Sequence, residues 1–392
     1  MHRLIISGLA AISVISAPAL AQEEWTLKLS GRVQLDLSSV DTDVSGASWE
    51  RGELRRLHLG VSGGRGKTFK YKFEINTTAD GEIRLQDGFV DFIPVESNWK
   101  FRAGQFKTPN TLDQQTSSRF ISTLERAAFT SAFQFNRRLG VSATTKRDAY
   151  TFSAGIFGDN LDTSGGQQGY AAAARATFTP ITPSDTRDLL VHLGASVRYR
   201  EVGGTQGNLR YRQRPYAHVP GRIISTGRVA GSDMFYGIEA AALYQNVWVS
   251  GEYGLTRADC PACSSDPSLS GAYAEIGMML GGRKTYKGGK FGRPKVDHPV
   301  REGGFGALAL VARLDTIDLA DGGLNGGDYD SYILGADWWP SDHIRLGLNL
   351  FSVKANLGNS TSGLDTGFAA LVALGAPNEE VSGAMLRAQF DF

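Results

Sequence analysis

The chain has 392 residues, 41% of them hydrophobic, and its 41 Lys and Arg residues almost balance its 40 Asp and Glu residues. Since the net charge is close to zero, it favours no class of partner, and charge selectivity must come from where the charges lie. No run of 18 or more apolar residues follows the N-terminal segment, which excludes a helical membrane protein.

The first 21 residues have the features of a secretory signal peptide. A weakly basic start at Arg3 precedes an apolar run, and Ala19 and Ala21 are the small residues of a cleavage site. We therefore expect 1–21 to be removed and 22–392 to form a single mature domain. An exported chain that spans a membrane without apolar helices must do so as a closed barrel, which pairs every backbone group between strands.

Apolar and polar residues alternate along most of the mature chain. Phe69, Tyr71 and Phe73, for example, alternate with Lys70 and Lys72, so one face of the segment is apolar and the other is polar. This period of two, interrupted by turn residues, predicts sixteen strands. They are 25–37, 52–62, 67–77, 82–93, 98–107, 135–146, 149–158, 169–179, 187–200, 235–245, 246–256, 270–280, 304–316, 328–339, 342–354 and 381–392.

The connections between these strands alternate in length. Those after odd-numbered strands are mostly long, and most of the others are turns of a few residues, as in outer-membrane barrels with external loops and periplasmic turns. The exception is 281–303, a long basic connection on the periplasmic side. It could collect or release anions at the inner mouth, or pack against the barrel.

Two long external connections are candidates for shaping a channel, because a barrel of sixteen strands leaves an aqueous lumen. The first, 108–134, is long for a hairpin, and we expect it to fold inward and narrow the pore; a cap over the outside is the alternative. The second, 201–234, carries Arg210, Arg212 and Arg214 in alternate positions, so their guanidinium groups project to one side about 6.6 Å apart. Guanidinium groups suit phosphate and carboxylate oxygens, although a solvated basic loop against lipopolysaccharide is equally compatible with the composition.

The chain ends in a strand-like pattern in which Leu386, Ala388, Phe390 and Phe392 share one face. An unpaired terminal strand would leave an exposed edge, so we expect it to close the sheet on itself. The sequence thus predicts an all-β fold, a 16-stranded antiparallel transmembrane β-barrel with long external loops and an inward-folded third loop. Alternation alone also permits a soluble all-β protein, such as a β-sandwich or β-helix.

The two cysteines, Cys260 and Cys263, lie in a predicted external loop. A short-range disulfide formed in an oxidising compartment is expected, and a redox dithiol or half of a zinc site is the alternative. No second cysteine pair or histidine cluster completes a metal site, so we expect neither a metal nor another cofactor. Six histidines without a Ser-centred elbow provide no catalytic residues, and no enzyme is expected.

Several short motifs follow one another in a specific order along the chain. They are Gly31-Arg-Val-Gln-Leu-Asp, Leu54-Arg-Arg-Leu-His-Leu-Gly, Phe69-Lys-Tyr-Lys-Phe-Glu-Ile, Gly104-Gln-Phe-Lys, Thr116-Ser-Ser-Arg-Phe, Thr123-Leu-Glu-Arg, Leu209-Arg-Tyr-Arg-Gln-Arg-Pro, Tyr286-Lys-Gly-Gly-Lys-Phe and the final Gln389-Phe-Asp-Phe. In this order and spacing the sequence resembles the porin O/P family, the phosphate-selective porins, over essentially the whole mature chain.

The resemblance implies a homotrimer of sixteen-stranded barrels in the Gram-negative outer membrane, in contact with lipid and lipopolysaccharide. It also implies an arginine ladder and an anion-binding constriction formed partly by the third loop. The ladder would include Arg210, Arg212, Arg214 and Arg222. The constriction would include Arg32, Arg55, Arg56, Lys70, Asp87, Ser117, Ser118 and Arg119.

One position departs from the pattern of the phosphate-specific members. Where they carry a lysine in the third loop this chain has Gln114, which supplies no charge. The predicted function is passive diffusion of small anions, with phosphate or polyphosphate favoured and no nucleic-acid partner. The alternative is a general non-selective diffusion porin for small hydrophilic solutes.

Overall fold

The computed structural model describes residues 24–43, 46–77, 81–161, 169–184, 188–203, 209–376 and 378–392. The predicted signal peptide, 1–21, lies outside the described residues, and its cleavage stays a prediction. Within the described residues the strands are β1 (Trp25–Thr42), β2 (Ser48–Arg65), β3 (Phe69–Thr77), β4 (Ile83–Phe92), β5 (Trp99–Lys107), β6 (Arg137–Lys146), β7 (Tyr150–Phe157), β8 (Tyr170–Ile181), β9 (Leu189–Glu201), β10 (Leu209–Gln213), β11 (Ile224–Ala230), β12 (Ser232–Tyr244), β13 (Val247–Asp259), β14 (Ser268–Leu280), β15 (Gly282–Arg283), β16 (Lys295–Val296), β17 (Ala307–Asp321), β18 (Leu324–Ser341), β19 (Ile344–Asn356) and β20 (Asn378–Asp391). The α-helices in the same residues are α1 (Leu112–Gln115), α2 (Ala128–Ala132) and α3 (Thr366–Ala373).

Sixteen of these strands form one closed antiparallel barrel, as the alternation predicted. The other four pair as two small hairpins, β10 with β11 and β15 with β16. The barrel closes where β1 pairs with β20 and Val33 lies opposite Phe390. The backbone groups of Phe392 and Gly31 exchange hydrogen bonds of 3.1 and 3.2 Å, so the last residue completes the seam.

All sixteen predicted strands are present, and several extend farther than predicted at one end. β1 continues to Thr42 rather than to residue 37, and β17 continues to Asp321 rather than to residue 316. The sequence 38–42 is polar at four of its five positions. The backbone pairing thus continues after the apolar alternation ends, which is why the pattern underestimates the strand length.

The two faces of the barrel wall differ strongly in exposure. On β1, Leu27 and Leu29 are 66% and 69% exposed, whereas Gln34 and Asp36 on the opposite face are at most 1% exposed. An outward apolar face and an inward polar face are what a lipid-embedded barrel with a wet interior requires. None of the helices in the described residues is both long enough and apolar enough to cross a membrane.

The third external connection, residues 108–136, is called L3 below and packs against the inner wall. Its Phe129 is fully buried and lies over Gly254 of β13 and Gly271 of β14. A Cβ atom at either glycine would come within 2.8 Å of the Phe129 side chain. The aromatic ring joins an apolar core that includes Phe235, so small wall residues make room for the loop inside the barrel.

Wall carboxylates bind hydrogen-bond donors of L3. Glu252 accepts the two backbone N–H groups at the start of α1, at 2.6 and 2.9 Å. Glu275 accepts the hydroxyl of Ser122 at 2.6 Å, and Asp315 accepts the N–H of Ala128 at 2.9 Å. Each bond satisfies a donor that the loop backbone or side chain would otherwise bury without a partner.

Wall arginines bind acceptors of the same loop. Arg345 pairs with Asp337 at 2.6 Å and donates to the carbonyl of Ile121 at 3.1 Å. Arg387 of β20 pairs with Asp36 of β1 at 2.6 Å and donates to a carbonyl group of L3. The pair therefore links the barrel seam to L3.

The periplasmic connection 281–303, called the inner segment below, also contacts the interior. Lys284 donates to the hydroxyl of Ser122 in L3 at 2.6 Å. Arg175 on the wall donates to the carbonyl of Gly289 at 2.6 Å. The inner segment is thus fixed both to the wall and to L3, and packing against the barrel is part of its role.

The connection after β9 contains the hairpin of β10 and β11, called the L5 hairpin below. Its Tyr211 is fully buried, packs against Phe133 of L3 and donates to Asp233 at 2.9 Å. Ser225 of the hairpin donates to the carbonyl of Ser362 at 2.7 Å, in the connection that carries α3. These contacts position the arginines of the hairpin.

Replacing Asp337 by Ala should destabilise the barrel. The substitution leaves the buried guanidinium of Arg345 without its carboxylate, and breaking such a buried pair costs about 3–5 kcal/mol. The measurement is urea-induced unfolding of the refolded protein in lipid vesicles.

The matched control is Glu380→Ala, which breaks an exposed pair with Lys354 whose atoms lie 3.2 Å apart. An exposed pair contributes about 0–1 kcal/mol, so this variant should unfold close to the wild type. Equal stabilities of the two variants would contradict the anchoring role of Arg345.

Candidate functional site

A cavity of about 760 Å³ remains in the barrel between L3, the inner segment and strands β1–β6. It is called the central cavity below. Its basic lining residues are Arg32, Arg55, Arg56, Lys72, Arg102, Lys107, Arg119, Arg126, Arg137 and Lys290. Its acidic lining residues are Glu53, Glu74 and Asp87. Basic residues of the lining also pair with four carboxylates outside it, Asp91, Asp113, Glu125 and Asp391. Ten basic side chains against seven carboxylates leave an excess of positive charge, which favours anions in this space.

Arg32, His58 and Ser118 form one wall of the cavity. The guanidinium of Arg32 on β1 donates to the hydroxyl of Ser118 in L3 at 2.6 Å and lies 2.7 Å from Nδ1 of His58. The same ring nitrogen lies 3.0 Å from Glu74 on β3. This network connects two barrel strands to the loop through side chains that line the cavity.

A second group surrounds Glu125 of L3. Arg55 donates to both oxygens of this carboxylate at 3.0 Å, in the bidentate geometry that holds a guanidinium firmly. Arg387 binds the same carboxylate at 3.0 Å, and Arg56 lies 3.9 Å from it. A single loop carboxylate is thus shared by three arginines, of which Arg55 also contacts Glu53 and Arg387 also contacts Asp36. The group links L3 to β2 and β20.

A third group surrounds Asp87 on β4. Its two oxygens accept from Lys72 at 2.7 Å and from Arg137 at 2.6 Å. The predicted site residue Lys70 is on the same strand face as Lys72 but does not line the cavity. Lys70 lies opposite Asp91 in the pairing of β3 with β4, two residues along the strand from Lys72. Alternation predicts which face of a strand a residue is on, but not how far along the barrel axis it lies.

A lysine from a neighbouring strand lies next to Gln114. The ammonium group of Lys107 on β5 donates to the carbonyl oxygen of Gln114 at 2.6 Å, and the amide of Gln114 donates to the carbonyl of Phe135. Both residues line the cavity. The amino group of Lys107 therefore lies beside the loop position at which Gln114 supplies no charge.

The arginines of the L5 hairpin lie close to one another and outside the lining of the central cavity. Burial, with the charges of Arg214, Arg212 and Arg210 adding to it, lowers the pKa of Arg222 to about 9. Burial is also the main cause that lowers the pKa of Arg214, which is close enough to Arg55 for their like charges to contribute. The group thus extends from the hairpin toward the cavity.

The structure brings most of the predicted constriction residues together. The predicted residues that line the central cavity are Arg32, Arg55, Arg56, Asp87, Ser117, Ser118 and Arg119. Those that do not line it are Lys70, Arg210, Arg212, Arg214 and Arg222. The charged residues that the sequence did not indicate as site residues are Glu53, Lys72, Glu74, Arg102, Lys107, Arg126, Arg137 and Lys290.

The sequence carries partial signals for these additional residues. Lys72 occupies the same strand face as Lys70, and Lys107 and Arg137 are the residues next to the ends of L3. Lys290 belongs to the basic inner segment, whose entry into the barrel only the three-dimensional structure reveals.

Cys260 and Cys263 are joined as a disulfide in the connection between β13 and β14. Nearby, the hydroxyl of Ser264 donates to the carbonyl of Gly322 at 2.7 Å, which ties this connection to the next external turn. Sulfur atoms bonded to each other are not available as a dithiol or as zinc ligands. Neither cysteine lines the central cavity.

The sequence profile of the family described as "Phosphate-selective porin O and P" matches residues 27–392. The chain belongs to this family. An uncharacterized protein of Caulobacter vibrioides is 33% identical over 350 residues, which cover 85% of this chain and 69% of that protein. The family match confirms the resemblance of the sequence motifs, and it makes the protein a porin of the Gram-negative outer membrane.

Solved porin structures share the fold of this family member at low sequence identity. An anion-selective porin from Comamonas acidovorans aligns with a TM-score of 0.57 and 15% identity, over 94% of this chain and all of that one. The channel DcaP of Acinetobacter baumannii aligns with a TM-score of 0.54 and 13% identity, over 94% of this chain and 97% of that one. These likenesses support the barrel architecture.

Replacing Lys290 by Ala should lower the single-channel conductance of the porin in potassium chloride. Lys290 brings an ammonium group from the inner segment to the cavity, so its removal reduces the local chloride concentration. Lys295→Ala, at an exposed position in the same segment, is the control and should leave the conductance close to that of the wild type. Equal effects of the two substitutions would show that the inner segment acts only through its overall charge.

Proposed function

We propose that this porin is a passive channel for small anions, with phosphate or polyphosphate as the favoured solute. The observation that carries the proposal is the excess of basic side chains in the central cavity, which remains after the three carboxylates of the lining and the four that pair with it from outside are counted. In a narrow, partly dehydrated passage a charge pair 4 Å apart is worth about 4 kcal/mol, compared with about 1 kcal/mol in bulk water. Fixed positive charge therefore admits anions and excludes cations.

The carboxylates of the cavity support passage rather than tight binding. Asp87 holds Lys72 and Arg137, and Glu125 holds Arg55, so each cation is already partly neutralised and fixed in position. An anion that replaces water at these groups gains hydrogen bonds from them. Because a carboxylate already neutralises part of their positive charge, they do not hold the anion as tightly as unpaired cations would. Conduction needs this balance, because an ion that binds too tightly does not leave.

Hydroxyl and basic groups around the loop fit an oxyanion. Ser117, Ser118 and Arg119 are consecutive in L3 and all line the cavity. Phosphate oxygens accept hydrogen bonds from hydroxyl and guanidinium groups, and guanidinium can serve two oxygens at once. Lys107 brings an amino group to the loop position at which Gln114 carries no charge, which supports phosphate as a solute.

The arginines of the L5 hairpin provide the external approach in this proposal. In this proposal an anion moves from the external side toward Arg55 by successive contacts with the guanidinium groups of Arg210, Arg212, Arg214 and Arg222. It therefore has a positively charged partner at each step. The Comamonas acidovorans porin of similar fold is described as anion-selective, in agreement with the proposal, although the argument rests on the charges of this chain.

The porin is further proposed to act as a homotrimer in contact with outer-membrane lipid and lipopolysaccharide. Structures of similar fold include a trimer form of OmpT from Vibrio cholerae, with a TM-score of 0.54. The exposed leucines of β1 provide an apolar surface for lipid or for a second copy. A general diffusion porin is the alternative function, favoured by the carboxylates that neutralise several lumen cations.

The double variant Arg212→Ala, Arg214→Ala should have a lower anion-to-cation permeability ratio than the wild type. Removing two guanidinium groups from the external approach lowers the local anion concentration there. The measurement is the reversal potential in a potassium chloride gradient across a planar bilayer. Arg301→Ala, which removes an exposed arginine paired with Glu302 on the periplasmic side, is the control. An unchanged ratio in the double variant would show that the hairpin does not guide anions.

Millimolar phosphate should reduce the chloride current through the wild-type channel, because phosphate occupies the cavity for longer than chloride. The variant Ser117→Ala, Ser118→Ala should need more phosphate for the same reduction, since two hydroxyl donors are lost. Ser264→Ala, in the disulfide turn, is the control and should behave as the wild type. A chloride current that does not respond to phosphate would reject phosphate preference while leaving general anion selectivity intact.

A further inference from the structure

His58 is in an unusual position in the central cavity. It is 6% exposed, and its Nδ1 atom lies 2.7 Å from Nη2 of Arg32 and 3.0 Å from Oε1 of Glu74. A ring nitrogen carries either a lone pair or a hydrogen atom. It can therefore accept a hydrogen bond from Arg32 or donate one to Glu74, and one proton decides between these two arrangements.

The charged groups around His58 come from several elements. Arg32 faces it from β1, Glu74 from β3 and Arg137 from β6. Glu74 also pairs with Lys72 at 3.0 Å, and Arg32 is influenced by Arg119 of L3 and Asp391 of β20. The two carboxylates nearest to the ring and to Arg32 are thus shared among several cations.

The hydrogen bonds of Arg32 couple the protonation state of His58 to L3. Arg32 holds Ser118 of L3 at 2.6 Å, and both residues line the central cavity. When His58 is neutral, its lone pair accepts a hydrogen bond from Arg32 and keeps the guanidinium against the wall. When the ring is protonated, it attracts Glu74 and repels Arg32, which then offers its donors to the cavity.

We propose that His58 sets the strength of the anion preference, with its protonation turning Arg32 from the wall toward the permeating anion. The inference rests on the proposed anion channel and deepens it, because it names a residue that makes the selectivity depend on pH. The sign follows from charge. Each proton bound adds one positive charge to the cavity, so anion preference rises as the pH falls.

The experiment measures reversal potentials of the full-length channel in a potassium chloride gradient at steps from about pH 8 to about pH 3, because a buried histidine beside a guanidinium group is protonated only in acid. Chloride is the probe because phosphate changes its own charge over this range. In the wild type the anion-to-cation permeability ratio should rise at least about sevenfold, because one unit charge roughly 7 Å from a permeating ion in water favours the anion about threefold and disfavours the cation about threefold. In His58→Gln the rise should be smaller than in the wild type, because the part due to the ring is lost and the part due to protonation of the cavity carboxylates remains.

The control is His298→Gln, the same substitution at an exposed periplasmic histidine, which should retain the full rise. A second variant, Glu74→Gln, removes the charged partner of the protonated ring and should move the rise to lower pH. If His58→Gln or Glu74→Gln behaves as the wild type at every pH, the role of His58 is rejected. A wild-type channel without anion preference at about pH 8 would instead reject the proposed function, so the two failures are distinguishable.

Discussion

The interior of this barrel depends on ion pairs and charge-assisted hydrogen bonds between the wall and the loop that it encloses. Carboxylates on β13, β14 and β17 bind donors of L3, while Arg345 and Arg387 bind its carbonyl groups. Burial of charged groups is costly unless each finds a partner, and here the partners are supplied by both the wall and the loop. The loop is therefore held in one place, and the unfilled part of the lumen has a defined shape.

Because L3 is fixed against one side, the open space lies on the other side, along β1–β6. The side chains that line it come from six strands, L3 and the inner segment, and His218 adds one from the turn of the L5 hairpin. No single segment of the chain contains the site. Its positive character follows from the excess of arginine and lysine on these elements, in a protein whose overall charge is almost zero.

Much of the architecture could be predicted from the sequence because a barrel wall alternates between lipid and lumen. That alternation indicated all sixteen strands, and the apolar end at Phe392 indicated the closing strand. The alternation did not predict where the strands end on the external side. A strand such as β1 continues to pair with its neighbour beyond the point at which its residues stop alternating between apolar and polar.

The depth of individual residues could not be predicted in the same way. Lys70 and Lys72 have identical alternation signals, yet only Lys72 reaches Asp87 and the cavity. Lys107, at the end of β5, contacts Gln114 in the loop that follows. Lys290 comes from the inner segment, more than 150 positions after Arg137 in the sequence. These are consequences of how loops fold into the lumen, which periodicity does not encode.

The most direct test of this account is the reversal potential of the wild-type porin in a potassium chloride gradient across a planar lipid bilayer at neutral pH. The account predicts a potential displaced toward the equilibrium potential of chloride, because positive charge dominates the cavity. A potential displaced toward the equilibrium potential of potassium would contradict it.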